Sequence, residues 1–253
     1  MKILILGGTA EARQLAAALA DRNAFAVKLS LAGRTAQPAP QPVPVRIGGF
    51  GGADGLAAYL SDERIDVLID ATHPYAAIIS ANAVKAADAT GIKLLALRRP
   101  AWPRADGDIW FEVKTIEDAV EALGTAPRRV FVALGRKELE PFAVAPQHFY
   151  LVRSVDPVDP PLAVPQASYI TARGPFTEAE DNALLERHRI ETIIAKNSGG
   201  DAAYGKIAAA RALRLPVIML KRPALPEAAS VETVEEVLAW LDHALTPSTA
   251  RGV

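Results

Sequence analysis

Short runs of branched apolar residues alternate along the chain with alanine-rich stretches of helical length. Unbroken apolar runs are what a strand shows when helices cover both faces of its sheet, as in a parallel α/β sheet. The pattern predicts strands at residues 3–6, 26–31, 43–47, 67–70 and 93–97, with helices at 10–21, 53–61 and 76–90 between them. A second series predicts strands at 129–134, 149–152, 169–171, 192–196 and 217–220, and helices at 177–188, 203–214 and 231–245. The fold class is therefore α/β, with two doubly wound, Rossmann-like lobes of parallel strands and a cleft between them.

The second series echoes the first at the level of residues. Leu94-Leu95-Ala96-Leu97-Arg98-Arg99-Pro100-Ala101-Trp102-Pro103 matches Val217-Ile218-Met219-Leu220-Lys221-Arg222-Pro223-Ala224-Leu225-Pro226 in order and type. Each copy runs on into a similar helix start, with Thr115 and Thr233 as N-caps and acids in the first turn. Strand-then-Arg-Pro is also simply a way to end a strand, since proline cannot continue a ladder. The agreement in order, spacing and following helix favours an internal duplication. The proline- and charge-rich stretch 98–107 is the natural hinge, which places a dinucleotide-binding domain at 1–100 and a substrate domain at 101–253.

Composition removes several classes of chemistry. The 253 residues carry 28 basic and 29 acidic side chains, a net charge of −1, so no global field gathers nucleic acid or an anionic membrane. The absence of cysteine rules out disulfides, thiolate metal sites and a cysteine nucleophile. The opening Met1–Leu6 run is too short for a signal h-region and reads as a buried strand, and no apolar stretch approaches the ~20 residues of a membrane span. The expectation is a cytoplasmic protein, a monomer or weak homodimer, with no nucleic-acid or membrane partner. No paired carboxylates, Ser/His/Asp spacing or metal cluster stands out, and no metal is expected.

The candidate chemistry lies where predicted strands end. Gly7-Gly8-Thr9-Ala10-Glu11-Ala12 follows the first strand and opens a helix, the context that makes a glycine pattern a dinucleotide loop. In the G-x-G-x-x-G/A register the middle glycine is Thr9, whose hydroxyl can itself bond a phosphate oxygen, while the helix start supplies oriented N–H groups. The alternative is a simple tight turn. The second strand ends Ser30-Leu31-Ala32-Gly33-Arg34-Thr35 without the acid of NAD sites. Arg34 suits a 2′-phosphate, and Ser30 adds a neutral donor, so NADPH is expected over NADH.

At the end of the fourth strand stands Asp70-Ala71-Thr72-His73-Pro74-Tyr75-Ala76. Asp70 and Thr72 can serve as helix caps or as ligands, and Pro74 suits a first helical turn. His73 can titrate near neutrality, and so can orient a cofactor, bind a carboxylate or give a proton. The second series places Gly135-Arg136-Lys137, Arg173-Gly174-Pro175-Phe176 and Lys196-Asn197-Ser198-Gly199-Gly200 at corresponding strand ends. Basic side chains beside glycine-exposed backbone suit a polyanionic substrate, against the plainer reading of unrelated surface charges.

Taken in this order, Ile5-Leu6-Gly7-Gly8-Thr9-Ala10-Glu11-Ala12, Asp70-Ala71-Thr72-His73-Pro74-Tyr75-Ala76, Gly135-Arg136-Lys137, Arg173-Gly174-Pro175-Phe176, Lys196-Asn197-Ser198-Gly199-Gly200 and Leu220-Lys221-Arg222-Pro223 resemble the precorrin-6A reductases, including the cobalt-precorrin-6A reductases. The motifs span nearly the whole chain. The resemblance implies reduction of one ring C=C bond of a polycarboxylate tetrapyrrole, giving precorrin-6B in cobalamin biosynthesis. It implies that Gly7, Gly8, Thr9, Ala10 and Glu11 hold the nucleotide with Ser30, Arg34 and Thr72, and that His73 and Tyr75 border the nicotinamide. Arg136, Lys137, Arg173, Lys196, Asn197, Ser198 and Gly199 then hold substrate, with His73, Tyr75, Lys137 or water as proton donor. The competing readings are another NADPH-dependent reductase of an anionic small molecule, a non-catalytic dinucleotide-binding redox sensor, and a methyltransferase, the last disfavoured by the missing acid after the second strand.

Overall fold

In the computed structural model, which describes residues 1–33 and 39–245, the strands form two six-stranded sheets whose pairings are parallel throughout. The first contains β1 (Lys2–Leu6), β2 (Ala26–Leu31), β3 (Val45–Ile47), β4 (Val67–Asp70) and β5 (Lys93–Leu97). The second contains β6 (Ile109–Val113), β7 (Arg129–Ala133), β8 (Phe149–Ser154), β9 (Ala167–Thr171), β10 (Thr192–Lys196) and β11 (Pro216–Leu220). The last strand, β12 (Ser230–Val231), returns to the first sheet. The orders are β12-β5-β4-β1-β2-β3 and β6-β11-β10-β7-β8-β9. They are one order written twice, which agrees with the residue-level echo in the sequence.

Helices α1 (Ala10–Ala20), α2 (Ala53–Asp62), α3 (Ala77–Thr90), α4 (Ile116–Glu121), α5 (Glu178–Arg187), α6 (Gly205–Ala212) and α7 (Val234–Leu245) complete the two lobes. The period-two geometry of β1 explains why its run is wholly apolar. Ile3 and Ile5 join the core beneath α1 and α7, with Leu15, Leu19 and Leu241. Leu4 and Leu6 face the other way, among Leu56 and Leu60 of α2 and Ala83 and Ala86 of α3. These four side chains of β1 are at most 2% exposed, each worth roughly 1.5–3 kcal/mol of burial. In the second lobe Phe131, Ile193 and Met219 share a core with Leu185 of α5 and Ile207 of α6.

A single boundary after residue 100 does not describe this chain. One unit comprises Met1–Arg99 with Ala224–Val253, the other Pro100–Pro223. The reason is an exchange of edge strands: β6 follows β5 yet pairs with β11, and β12 follows β11 yet pairs with β5. The amphipathic stripe of α7 then buries Val237 and Leu241 in the first lobe's core. The sequence pattern misses β6 because Ile109 and Phe111 are exposed and only Trp110 is buried, as befits an edge strand. It also merges β12 into the following helix; α3 agrees with the predicted 76–90 to within one residue, but Pro74 lies in a turn at residues 74 and 75 and not in the first helical turn. Thr115 and Thr233 do cap their helices, accepting from Asp118 N–H at 3.0 Å and Glu236 N–H at 3.2 Å. Among the described residues, no helix is long and apolar enough to cross a membrane.

Candidate active site

In the first sheet β1 has β2 on one side and β4 on the other, so the chain reverses its direction of winding there. Such a reversal splays the connecting segments and opens a crevice at the carboxyl ends of the two strands. The Gly7-Gly8 turn enters it. Gly7 N–H donates to the Ser30 carbonyl at 2.9 Å, and a Cβ on Gly7 would stand 2.6 Å from Leu29 Cδ1 and 3.3 Å from Ala12 Cβ. Glycine here permits helix and sheet to meet. Gly8 has φ +116° and open space where a Cβ would be, a backbone that glycine alone adopts readily beside a ligand.

Thr9 caps α1, its Oγ1 accepting from Ala12 N–H at 3.1 Å and donating to the Ala71 carbonyl at 2.9 Å. The hydroxyl proton thus ties the β1 loop to the β4 loop instead of pointing to a phosphate. Helix geometry leaves the first-turn N–H groups, here those of Ala10 and Glu11, without intrahelical acceptors, and the helix dipole makes them attractive to an anion. The Glu11 carboxylate at this positive end is ion-paired with Arg99. Ser30 lies in the β2 ladder, only 5% exposed. Arg34 lies outside the described residues.

Beyond β4, Asp70 acts as a local organiser. One carboxylate oxygen accepts from Thr72 N–H at 3.2 Å and Thr72 Oγ1 at 2.6 Å, the other from Ser80 Oγ of α3 at 2.6 Å. Neither Asp70 nor Thr72 is the N-cap of α3, which is Ala76 without a side-chain bond. Asp70 reaches the helix from below, through Ser80. His73 Nδ1 accepts the Tyr75 N–H at 3.3 Å, which assigns the ring proton to Nε2, and the two rings stand 5.6 Å apart. Both side chains are half-buried at the end of β4.

The second sheet repeats the reversal at β7, between β8 and β10. After β7, residues 136–138 form a short 3₁₀ turn in which Arg136 and Lys137 are exposed. Glu138 folds back so that Oε2 accepts from Gly135 N–H at 2.9 Å, while Oε1 is ion-paired with Lys196. After β10, Asn197 grips the backbone of Trp102, accepting its N–H at 2.8 Å and donating to its carbonyl at 3.0 Å. Gly199, at φ +67°, has no room for a side chain: a Cβ would meet the Pro100 carbonyl at 2.1 Å. Asn197 and Gly199 therefore secure the segment entering the lobe, a use the sequence did not suggest, and Ser198 turns beside them.

Arg173 follows β9 and is exposed, lining a cavity of about 300 Å³ with Arg153, Phe176, Asp181 and Arg187. Arg153 and Asp181, 7% and 1% exposed, form a buried ion pair, and the Arg153 guanidinium lies 3.7 Å over the Phe176 ring. Lys206 of α6 is buried nearby with its Nζ donating to the Ala203 carbonyl at 2.5 Å. Burial, aided by the Arg153 charge and opposed by Asp181, brings its pKa down to about 7. Among the described residues no group of three or more His, Asp or Glu is placed to hold a metal ion.

Sequence reasoning passed over Arg99, Arg153 and Arg222 as site or framework residues. Arg153 sits inside a strand and carries no loop signal. Arg99 and Arg222, however, occupy matching places in the internal echo, and that correspondence was the available clue.

Comparison with known proteins identifies the family. The family model described as precorrin-6x reductase CbiJ/CobK matches residues 2–242. A precorrin-6A reductase of a Sinorhizobium species is 55% identical over 247 residues, covering 98% of this chain and 95% of the relative. That of Rhodobacter capsulatus is 50% identical, covering 100% and 99%. A cobalt-precorrin-6A reductase of Priestia megaterium is 29% identical, covering 98% and 99%. A solved CobK precorrin-6A reductase, 50% identical, superposes along both whole chains with a TM-score of 0.93. A match over nearly the full length, and relatives identical at half of their positions or more, place this chain in the precorrin-6x reductase family.

Proposed function

We propose that the chain is an NADPH-dependent precorrin-6A reductase, which reduces one ring C=C bond of the tetrapyrrole to give precorrin-6B in cobalamin biosynthesis. The observation that carries this reading is the loop 7–12, where an open, positive-φ Gly8 precedes a capped helix start in a chain 55% identical to a named precorrin-6A reductase. Identity of 55% and 50% to precorrin-6A reductases, against 29% to a cobalt-precorrin enzyme, favours the metal-free ring.

The first lobe fits a dinucleotide. Gly7 lets α1 pack close to β2, Gly8 lets backbone approach a pyrophosphate, and the Ala10 and Glu11 N–H groups bond phosphate oxygens. Arg34 holds the 2′-phosphate. When bound, the nicotinamide supplies hydride to one ring carbon, while a proton reaches its neighbour. His73, with its Nδ1 occupied by Tyr75 N–H, presents Nε2–H as a donor that orients a carboxamide or carboxylate. To give up a proton it must first gain one at Nδ1, losing the Tyr75 bond, so Tyr75, Lys137 and water remain alternative sources. In the second lobe Arg136, Lys137, Arg173 and Lys196 meet substrate carboxylates, with Ser198 beside them.

Mixing the protein with precorrin-6A and NADPH tests the reading. Nicotinamide absorbance falls in step with the change in the tetrapyrrole spectrum if it is right, and neither changes if it is wrong. Arg34→Ala weakens NADPH but not NADH; equal loss of both removes the 2′-phosphate assignment. An unaffected rate for His73→Ala removes His73 from the mechanism.

A further inference from the structure

Each lobe lays an arginine over the phenylalanine that follows its edge strand. In the second lobe Arg153 of β8 lies 3.7 Å over Phe176, which follows β9, and in the first Arg46 of β3 lies 3.8 Å over Phe50. The two differ in counter-charge. Arg153 is paired with Asp181, the fourth residue of α5, whereas the fourth residue of α2 is the buried Leu56. Among the described residues no carboxylate pairs with Arg46, and residues 34–38 and 246–253 contain no Asp or Glu. Its Nη1 donates to the Gly48 carbonyl at 2.6 Å and its Nη2 to the Gly49 carbonyl at 2.7 Å. Both acceptors follow β3, so the half-buried guanidinium is held at the carboxyl end of that strand.

The carboxyl end of β3 is tied to that of β2. Arg46 stands beside Ser30 in the parallel register, and Gly48 N–H donates to the Leu31 carbonyl at 2.9 Å. The order β3-β2-β1-β4-β5 is that of a dinucleotide-binding lobe, in which the end of β2 meets the adenosine ribose and a nearby arginine takes a 2′-phosphate. We propose that Arg46 binds the 2′-phosphate of NADPH from the β3 side and so sets the preference for NADPH over NADH; this rests on the nucleotide reading given under Proposed function. A guanidinium carries five N–H donors, and the two carbonyls take two of them, leaving three that no described residue takes. Its planar fork suits phosphate oxygens. Bracing two carbonyls needs N–H groups but no net charge. The charge left without a carboxylate is the part that a phosphate monoester complements.

The test is calorimetric titration of the parent protein, Arg46→Met and Arg46→Gln with NADPH and, into the millimolar range, with NADH, at low and at moderate salt. Both variants are expected to raise Kd for NADPH about tenfold, to leave Kd for NADH within about twofold, and to flatten the salt dependence of NADPH binding. Glutamine keeps an N–H donor for a loop carbonyl, so it decides the matter if the methionine variant does not fold. An equal loss of both nucleotides in the folded variants overturns the proposal, because Arg46 then acts only by shaping the turn. NADPH binding within about twofold of the parent overturns it too. A parent that binds neither nucleotide, or both alike, sinks the nucleotide reading itself and Arg46 with it. A parental preference for NADPH that the variants share removes Arg46 alone.

Discussion

The two lobes share one strand order and differ at the point where that order makes an anion site. In the first, β1 ends in Gly7-Gly8, with open space beside Gly8, and the capped α1 aims its amino end at the crevice. In the second, β7 ends in Gly135, whose N–H is taken by Glu138, and the same carboxylate is paired with Lys196 from the end of β10. At the matching place in the first lobe Gly7 N–H donates to the Ser30 carbonyl instead, so the two turns are closed by different partners. Topology provides the reversal twice, and the side chains at the two strand ends differ. The second lobe also turns charge inward elsewhere, in Arg153 with Asp181 and Arg211 with Asp108.

The strongest way to break this comparison is to remove an internal partner from the second lobe. Arg153→Met leaves Asp181, 1% exposed, without its cation, and should cost about 3–5 kcal/mol in denaturant unfolding. A cost under about 1 kcal/mol would show that the lobe does not depend on its buried charges. The crevice itself is tested by paired valines. Gly7→Val drives a side chain into Leu29 and Ala12, parting α1 from β2, and nucleotide affinity should fall about 100-fold or more, ~2.7 kcal/mol. At Gly135 a Cβ meets only the Glu138 carboxylate, Oε2 at 3.2 Å and Cδ at 3.9 Å, and φ is −71°, so Gly135→Val should leave affinity within about threefold. Equal losses in the two variants would erase the distinction between the lobes.

Lys206 gives a smaller effect with a pH signature. Its pKa in the folded lobe, about 7, lies below its ordinary 10.5. Between those values the unfolded chain holds the extra proton, so stability rises with pH through this window, and the penalty is full below pH 7. Lys206→Met should stabilise the protein by ~2 kcal/mol at neutral pH and flatten that rise in thermal melts. An unchanged pH profile would show that the folded lobe hydrates the ammonium. The smallest effect belongs to Glu138→Gln. The Lys196 pair is partly exposed, so its loss should cost under ~1 kcal/mol, and a larger value would make the glutamate a structural keystone.

Much of the architecture was legible because fully buried parallel strands have no polar alternation to confuse the pattern. Ile3 to Leu6 can only be a strand covered on both sides. The exchange of β6 and β12 was not legible. An edge strand such as Ile109–Val113 is half exposed, and nothing local tells which sheet it joins. At the site, the glycine turn and the loop after β4 could be found from residue order alone. The partners could not: Asn197 and Gly199 read as ligand contacts until Trp102 and Pro100 were found against them. Thr9 read as a phosphate donor until its hydroxyl was found on Ala71. Long-range partners decide whether a polar group serves the fold or a ligand, and sequence spacing does not contain them.

The most direct test is a crystal structure of the protein with NADP⁺. The account predicts pyrophosphate oxygens within hydrogen-bonding distance of the Ala10 and Glu11 N–H groups, with the Glu138–Lys196 pair intact in the other lobe. Nucleotide phosphates seated instead on the Gly135 turn, with Glu138 displaced, would contradict it.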